Sequence, residues 1–182
     1  ERTINALYHS SCQGSTELPE EVWQDSYPYL KSVGCNCKND PYESWQKRFT
    51  FEEISRALAI PEVKDINIAS HTATERVRTL KIISEKTETE IKATELRRLL
   101  GYRELPSTDF RIIKGETEVI FDGKGYGHGV GLSQLGALEM ARQGKTYREI
   151  LDHYYPGTVI KNTEELSSSN HSRLLQKYAK EN

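Results

Sequence analysis

Residues 125–136 read Gly125-Tyr126-Gly127-His128-Gly129-Val130-Gly131-Leu132-Ser133-Gln134-Leu135-Gly136. Glycine sits at every second position from Gly125 to Gly131, with one imidazole, His128, among them, and the polar pair Ser133-Gln134 follows. Glycine gives up the most backbone entropy on folding and brings no side chain to the core, so four in alternation predict unusual dihedrals or a close approach of another group to the backbone. The stretch lies between a strand pattern and a helix pattern, where phosphate-binding loops also occur. It lacks the Gly-Lys-Ser/Thr ending of a P-loop, and its spacing is not the Gly-x-Gly-x-x-Gly of a dinucleotide fold, so a nucleotide site is set aside.

Working outward, Glu118 to Phe121 and Phe110 to Ile113 flank Lys114-Gly115-Glu116-Thr117 as a hairpin. Leu135, Leu138, Met140 and Ala141 have helical spacing with Gly144 as the stop, and Thr146 with Glu149 forms a capping box for a helix through Tyr154. Pro156-Gly157 then turns the chain into Val159-Ile160. Upstream, Ile4 to Ser11 has strand composition, and residues 16–48 are irregular, with aromatics, prolines and Cys35-Asn36-Cys37. Thr50 and Glu53 cap a helix to about Leu58; Ile66 to Ile68, Val77 to Ile83 and Thr89 to Ala93 read as strands; Thr94 is expected to cap a short helix, Glu95 to Leu100, ended by Gly101. Strands and helices mix without regular alternation, which predicts an α+β fold with mixed sheets, short helices and a loop-rich N-terminal third. Residues 1–162 read as one domain and 163–182, with Ser167-Ser168-Ser169, as a tail containing a linker and a short exposed helix.

The formal charge is -2, from 25 basic and 27 acidic residues, which argues against general nucleic-acid binding, since phosphate neutralisation needs a basic surface. Mean hydropathy is -0.69, but 36% hydrophobic residues are enough for a core. No apolar run approaches the roughly 20 residues of a membrane helix. The opening Glu1-Arg2-Thr3 has no initiator Met, so a longer natural protein is expected, with room for an export signal or membrane anchor upstream.

His9 and Ser10 are neighbours in a strand and point to opposite faces, so they cannot form a Ser–His dyad by themselves. Cys12, Cys35 and Cys37 leave one thiol over if a disulfide forms, and Cys12 is the better partner for either of the other two. The alternative is a structural zinc on Cys12, Cys35 and Cys37, with His9 as a possible fourth ligand, stapling the core-poor region from 16 to 48.

These pieces come together as one pattern. Tyr8-His9-Ser10-x-Cys12-x-Gly14-x-Thr16, then Val22-Trp23 and Pro28-Tyr29-Leu30-x-x-Val33, resembles the stage II sporulation protein D family. So do Glu95-Leu96-Arg97 through Phe110, the glycine stretch with Gly136-Ala137, and His153-Tyr154-Tyr155-Pro156-Gly157. The likeness runs in order from about Ile4 to Ile160. It implies a peptidoglycan lytic transglycosylase at the extracytoplasmic face of the cell envelope, serving sporulation or division. Peptide-free glycan strands would be its substrate, cut between N-acetylmuramic acid and N-acetylglucosamine to leave anhydro-muramic ends. It also implies a cell-wall amidase as a possible partner, and the runner-up reading is a non-catalytic glycan-binding or amidase-enhancing module. One carboxyl group suffices for such a reaction, and no cofactor is needed. The family's catalytic glutamate belongs to a segment ahead of the Tyr-His-Ser strand, and none of Glu17, Glu20, Glu21 or Glu139 matches it, so no residue of this chain is assigned that role. His9, Ser10, Tyr126, His128, Ser133 and Gln134 are the expected glycan-groove residues, with Trp23 or Tyr29 offering an aromatic face.

Overall fold

The computed structural model describes residues 3–23, 25–37 and 40–162. Its elements in chain order are β1 (Tyr8–His9), β2 (Gly14–Ser15), α1 (Pro19–Val22), β3 (Gly34–Cys35), β4 (Trp45–Thr50), α2 (Phe51–Leu58), β5 (Val63–His71), β6 (Val77–Ser84) and β7 (Glu88–Lys92). α3 (Ala93–Leu100), β8 (Phe110–Lys114), β9 (Glu118–Gly123), β10 (Leu132–Ser133), α4 (Gln134–Arg142) and α5 (Tyr147–Tyr154) complete it. The fold is α+β, as the irregular mixing of patterns predicts.

Two antiparallel sheets, β5-β6-β7 and β4-β9-β8, carry most of the pairing. Alternation decides which side of each is buried. On β6, Leu80 and Ile82 face inward in register with Ile68 and Ile66 of β5, and Val77, paired with His71 beyond a register shift, is buried as well. Phe49, Val119, Phe121 and Phe110 come from the second sheet, with Phe121 meeting Phe110 edge-on at 4.9 Å between ring centres. α2 and α3 add Ile54, Ala93 and Leu96, so both sheets and both helices share one core.

A second, smaller core of Leu30, Val130, Tyr154 and Tyr155 gathers α4, α5 and the N-terminal segment. The glycine stretch leaves β9 at the first core and delivers β10 to the second. Within the predicted strand Ile4–Ser11, Tyr8–His9 pairs with β10, a parallel partner only two residues long, and Ser11 adds a separate antiparallel bridge to Tyr126.

Both capping boxes form, with Thr50 accepting from the Glu53 N–H and Thr146 from the Glu149 N–H. The third cap differs from expectation. β7 runs straight into α3, and Lys92, the last paired residue, already has the extended dihedrals of a cap, so Thr94 lies inside the helix. The region 16–48 is less irregular than its composition implies: it holds α1, β3, which pairs with β2 just ahead of the region, and the start of β4. β4 escapes sequence reading because Gln46, Lys47 and Arg48 dilute its apolar alternation. Val159–Ile160 forms no strand and Val159 is exposed. The expected tail helix in 163–182 lies outside the described residues.

Candidate functional site

Five residues from four segments hold the glycine stretch by its backbone. The Gly125 N–H donates to the Tyr42 carbonyl at 2.7 Å, and Tyr126 exchanges a pair of bonds with Ser11, each 3.0 Å. Gly127 N–H donates to the Pro106 carbonyl and Gly129 accepts from the Glu17 N–H, both at 2.9 Å. Leu132 N–H reaches the Leu7 carbonyl at 3.0 Å. Gly127 (φ +118°) would bring a Cβ within 2.7 Å of the His9 Cβ, and at Gly131 (φ +72°) a Cβ would collide with the Leu7 carbonyl oxygen. Here glycine is needed for both its dihedrals and its lack of bulk.

This backbone packs His9 and His128 against one another, ring centres 5.7 Å apart. His9 is buried; its Nδ1 donates to the Val130 carbonyl at 3.2 Å, which leaves Nε2 a bare acceptor, enclosed and without a partner among the described residues. Burial first, then the neighbouring His128 ring, with Arg76 adding to them against the Val130 hydrogen bond, push the His9 pKa down to about 3. His128 Nδ1 accepts from the Val130 N–H at 3.1 Å. Its pKa falls to about 4 through burial and the nearby positive charge of Arg97, opposed by a backbone hydrogen bond to Tyr8, with Arg76 lowering it further. Both rings are therefore neutral at physiological pH. Trp23 meets His128 edge-on at 4.8 Å and is 42% exposed, and Tyr8 beside them is 62% exposed.

The remaining expected groove residues fall into different environments. Tyr126 is half-buried, its ring 4.5 Å from that of Tyr42. Ser10 is half-buried and its carbonyl accepts from the Leu135 N–H at 3.0 Å. Gln134 is exposed at the start of α4. Ser133 is fully enclosed; its hydroxyl accepts from the Gly136 N–H at 3.2 Å and caps α4, so it offers no surface to a ligand.

Beneath the loop lies a buried charged network that sequence reading does not reveal. Arg76 is 2% exposed, donates to the Cys12 and Ser15 carbonyls, and sits 4.0 Å from the Glu17 carboxyl and 3.9 Å from that of Asp109. Glu17 accepts from Thr72, Thr74 and the Leu18 N–H at 2.6 to 2.7 Å. Burial raises the Asp109 pKa, with Arg76 and Lys124 acting against it. Asp40 accepts from the Ser11 hydroxyl, the Gln13 amide and the Tyr42 N–H, tying the 40–42 turn to the strand that carries His9. No spacing rule marks Arg76 or Asp40, since their partners come from distant segments.

The three cysteines do come together. Cys12 and Cys35 are joined as a disulfide, and the Cys37 Sγ lies 3.0 Å from that of Cys35. All three sulfur atoms lie within 4.8 Å of one another, and His9 is not part of that cluster among the described residues. The possible fourth ligand is thus not supplied by His9.

The chain is 35% identical over 161 residues to the stage II sporulation protein D of Bacillus subtilis, covering 86% of this chain and 45% of that protein. It is 32% identical to an uncharacterised protein of Brachyspira hyodysenteriae, covering 87% of this chain and 44% of the relative. Residues 29–131 match a family described as a domain of unknown function (DUF8618). The chain belongs to the stage II sporulation protein D family, and over residues 29–131 to that domain family. An amidase enhancer of B. subtilis is also related, 26% identical over 86% of this chain and 30% of its own length. The chain spans less than half the length of these family relatives. The names of these relatives support a cell-wall-related role.

Proposed function

We propose that this chain forms the glycan-holding part of a peptidoglycan lytic transglycosylase acting on peptide-free strands at the extracytoplasmic face of the envelope. The supporting observation is the combination of two neutral, packed imidazoles with an exposed aromatic ring, Trp23, set edge-on against His128, on a backbone held by hydrogen bonds along the glycine stretch. Sugar rings are uncharged and amphipathic, and such a surface gives them aromatic faces and fixed hydrogen-bonding groups. In this reading Ser10, Tyr126 and Gln134 touch the acetamido and hydroxyl groups, while His9, His128 and Ser133 fix the wall behind them.

The chemistry is an intramolecular displacement of the glycosidic leaving group by the muramic acid C6 oxygen, with no water consumed. A carboxyl group protonates the leaving oxygen, then accepts the proton of the muramic acid C6 hydroxyl as that oxygen closes on C1. No described glutamate is assigned this task. Glu17 in particular is enclosed and its oxygens are taken by Thr72, Thr74 and Leu18.

Zinc on Cys12, Cys35 and Cys37 is a structural proposal within the same reading. Tetrahedral thiolates at about 2.3 Å from zinc lie about 3.8 Å from each other, so three sulfurs within 4.8 Å fit once the Cys12–Cys35 bond is reduced. The ion would staple β3 to the segment after β1 and take no part in the cleavage.

The test is a digest of purified peptide-free glycan by the natural protein that carries this chain, read by mass spectrometry. Anhydro-muramic ends are expected; intact strands that nonetheless co-sediment with the protein would remove the enzymatic reading and leave glycan binding. A second reading, stimulation of a cell-wall amidase, is favoured by the related amidase enhancer. It predicts faster peptide release by an added amidase and no cut glycan.

A further inference from the structure

Buried charges in proteins are normally paired, because an isolated ion loses its hydration without return. Arg76 obeys this, with Glu17 and Asp109 beside it. Arg97 does not. It is 8% exposed, and among the described residues it has no carboxylate within 4.0 Å. Its Nε donates to the Leu105 and Pro106 carbonyls at 2.9 and 3.2 Å, its Nη2 to Pro106 at 2.9 Å, and Tyr102 lies against the guanidinium at 4.7 Å. Nη1 takes part in none of these bonds. Among the described residues, a whole positive charge is thus held by two backbone carbonyl dipoles and the face of an exposed tyrosine.

Its position is specific. The Pro106 carbonyl that accepts from Arg97 also accepts from the Gly127 N–H at 2.9 Å, so the guanidinium lies alongside the residue preceding His128. The charge is felt there, since Arg97 is the largest electrostatic contribution lowering the His128 pKa. The other nearby cations are engaged: Arg76 is enclosed with its carboxylates, and Lys124 faces Asp109 at 3.9 Å.

We infer that Arg97 is a specificity-determining residue that recognises the lactyl carboxylate of muramic acid. This rests on the glycan reading above and extends it. In an intact wall the lactyl group is joined to a peptide through a neutral amide. Removing the peptide by hydrolysis leaves a carboxylate on each muramic acid, a planar anion that a guanidinium with free N–H groups binds through charge-assisted hydrogen bonds. A substrate restricted to peptide-free strands then needs no steric filter, because the missing counter-ion of Arg97 is supplied only by the processed sugar.

The test compares binding of the chain to soluble peptide-free glycan oligomers and to the same oligomers with their lactyl carboxyls converted to primary amides. A charge-assisted bond at a partly enclosed site predicts about tenfold tighter binding of the carboxylate form, reduced by added salt. Arg97→Gln should bring the ratio near one, and Arg97→Lys should retain part of it; a merely structural role would lower the melting temperature of both variants and leave the ratio unchanged. Equal affinity of the unaltered chain for the two glycans overturns the inference while keeping the glycan reading. Failure to bind either glycan overturns the glycan reading, and the inference with it.

Discussion

His9 and His128 hold the same residue, Val130, from its two ends. His9 donates from Nδ1 to the Val130 carbonyl, and His128 accepts at Nδ1 from the Val130 N–H. The peptide groups on either side of Val130 thus set the tautomer of both rings, and the apolar side chain of Val130 is fully enclosed in the smaller core. Anything that charges one ring disturbs the loop, the other ring and the core together.

Acid should therefore unfold this protein by a specific route. The folded pKa values, about 3 for His9 and about 4 for His128, lie below the ordinary 6.5, so below that value the unfolded chain binds protons that the folded chain refuses. Stability from this pair is fully present above about pH 6.5 and is lost as pH falls towards 4 and 3, by several kcal/mol in order of magnitude. Urea midpoints measured from pH 7 to 4 should fall steadily; a flat profile down to pH 4 would contradict the tautomers described.

The loop glycines should differ sharply from other positive-φ glycines. Gly131→Ala meets the Leu7 carbonyl, whereas Gly144 (φ +86°) has open space around its missing Cβ. The expected losses are about 3 kcal/mol or more for Gly131→Ala and about 1 kcal/mol for Gly144→Ala. Chemical denaturation of both variants measures this, and equal losses would mean that the loop relaxes more easily than its hydrogen bonds indicate.

Trp23 separates binding from folding. Its ring is substantially exposed and touches the His128 edge, so Trp23→Ala should cost no more than about 1.5 kcal/mol of stability. Glycan affinity should drop about tenfold or more if a sugar stacks there. Isothermal titration with peptide-free oligomers reads the second quantity, and unchanged affinity would remove Trp23 from the groove.

The cysteines predict two measurable states. Oxidised protein should expose a single alkylatable thiol, Cys37, and Cys12→Ser should cost about 3 kcal/mol by freeing a loop of 23 residues. Protein prepared under reducing conditions should carry about one zinc per chain by elemental analysis, and Cys37→Ser should lose it. Absence of metal from the reduced protein would leave the disulfide as the only staple.

Much of this is legible before folding is considered, and the reason is locality. The Thr50–Glu53 and Thr146–Glu149 caps close within one helical turn, the β8–β9 hairpin closes across four residues, and the glycine alternation records a backbone demand at the positions themselves. The sequence by itself thus determined the α+β class, the approximate spans of α2, β6, β7, α3, β8, β9, α4 and α5, the family, and the loop around which the candidate site is built. Tertiary structure alone decided what that loop meets. Val130 joins His9 to His128 across more than a hundred residues, Arg76 finds Glu17 and Asp109 on separate segments, and Arg97 has no carboxylate beside it among the described residues. Burial and pairing of charge depend on which distant segments share a core, and no local pattern of residues carries that information.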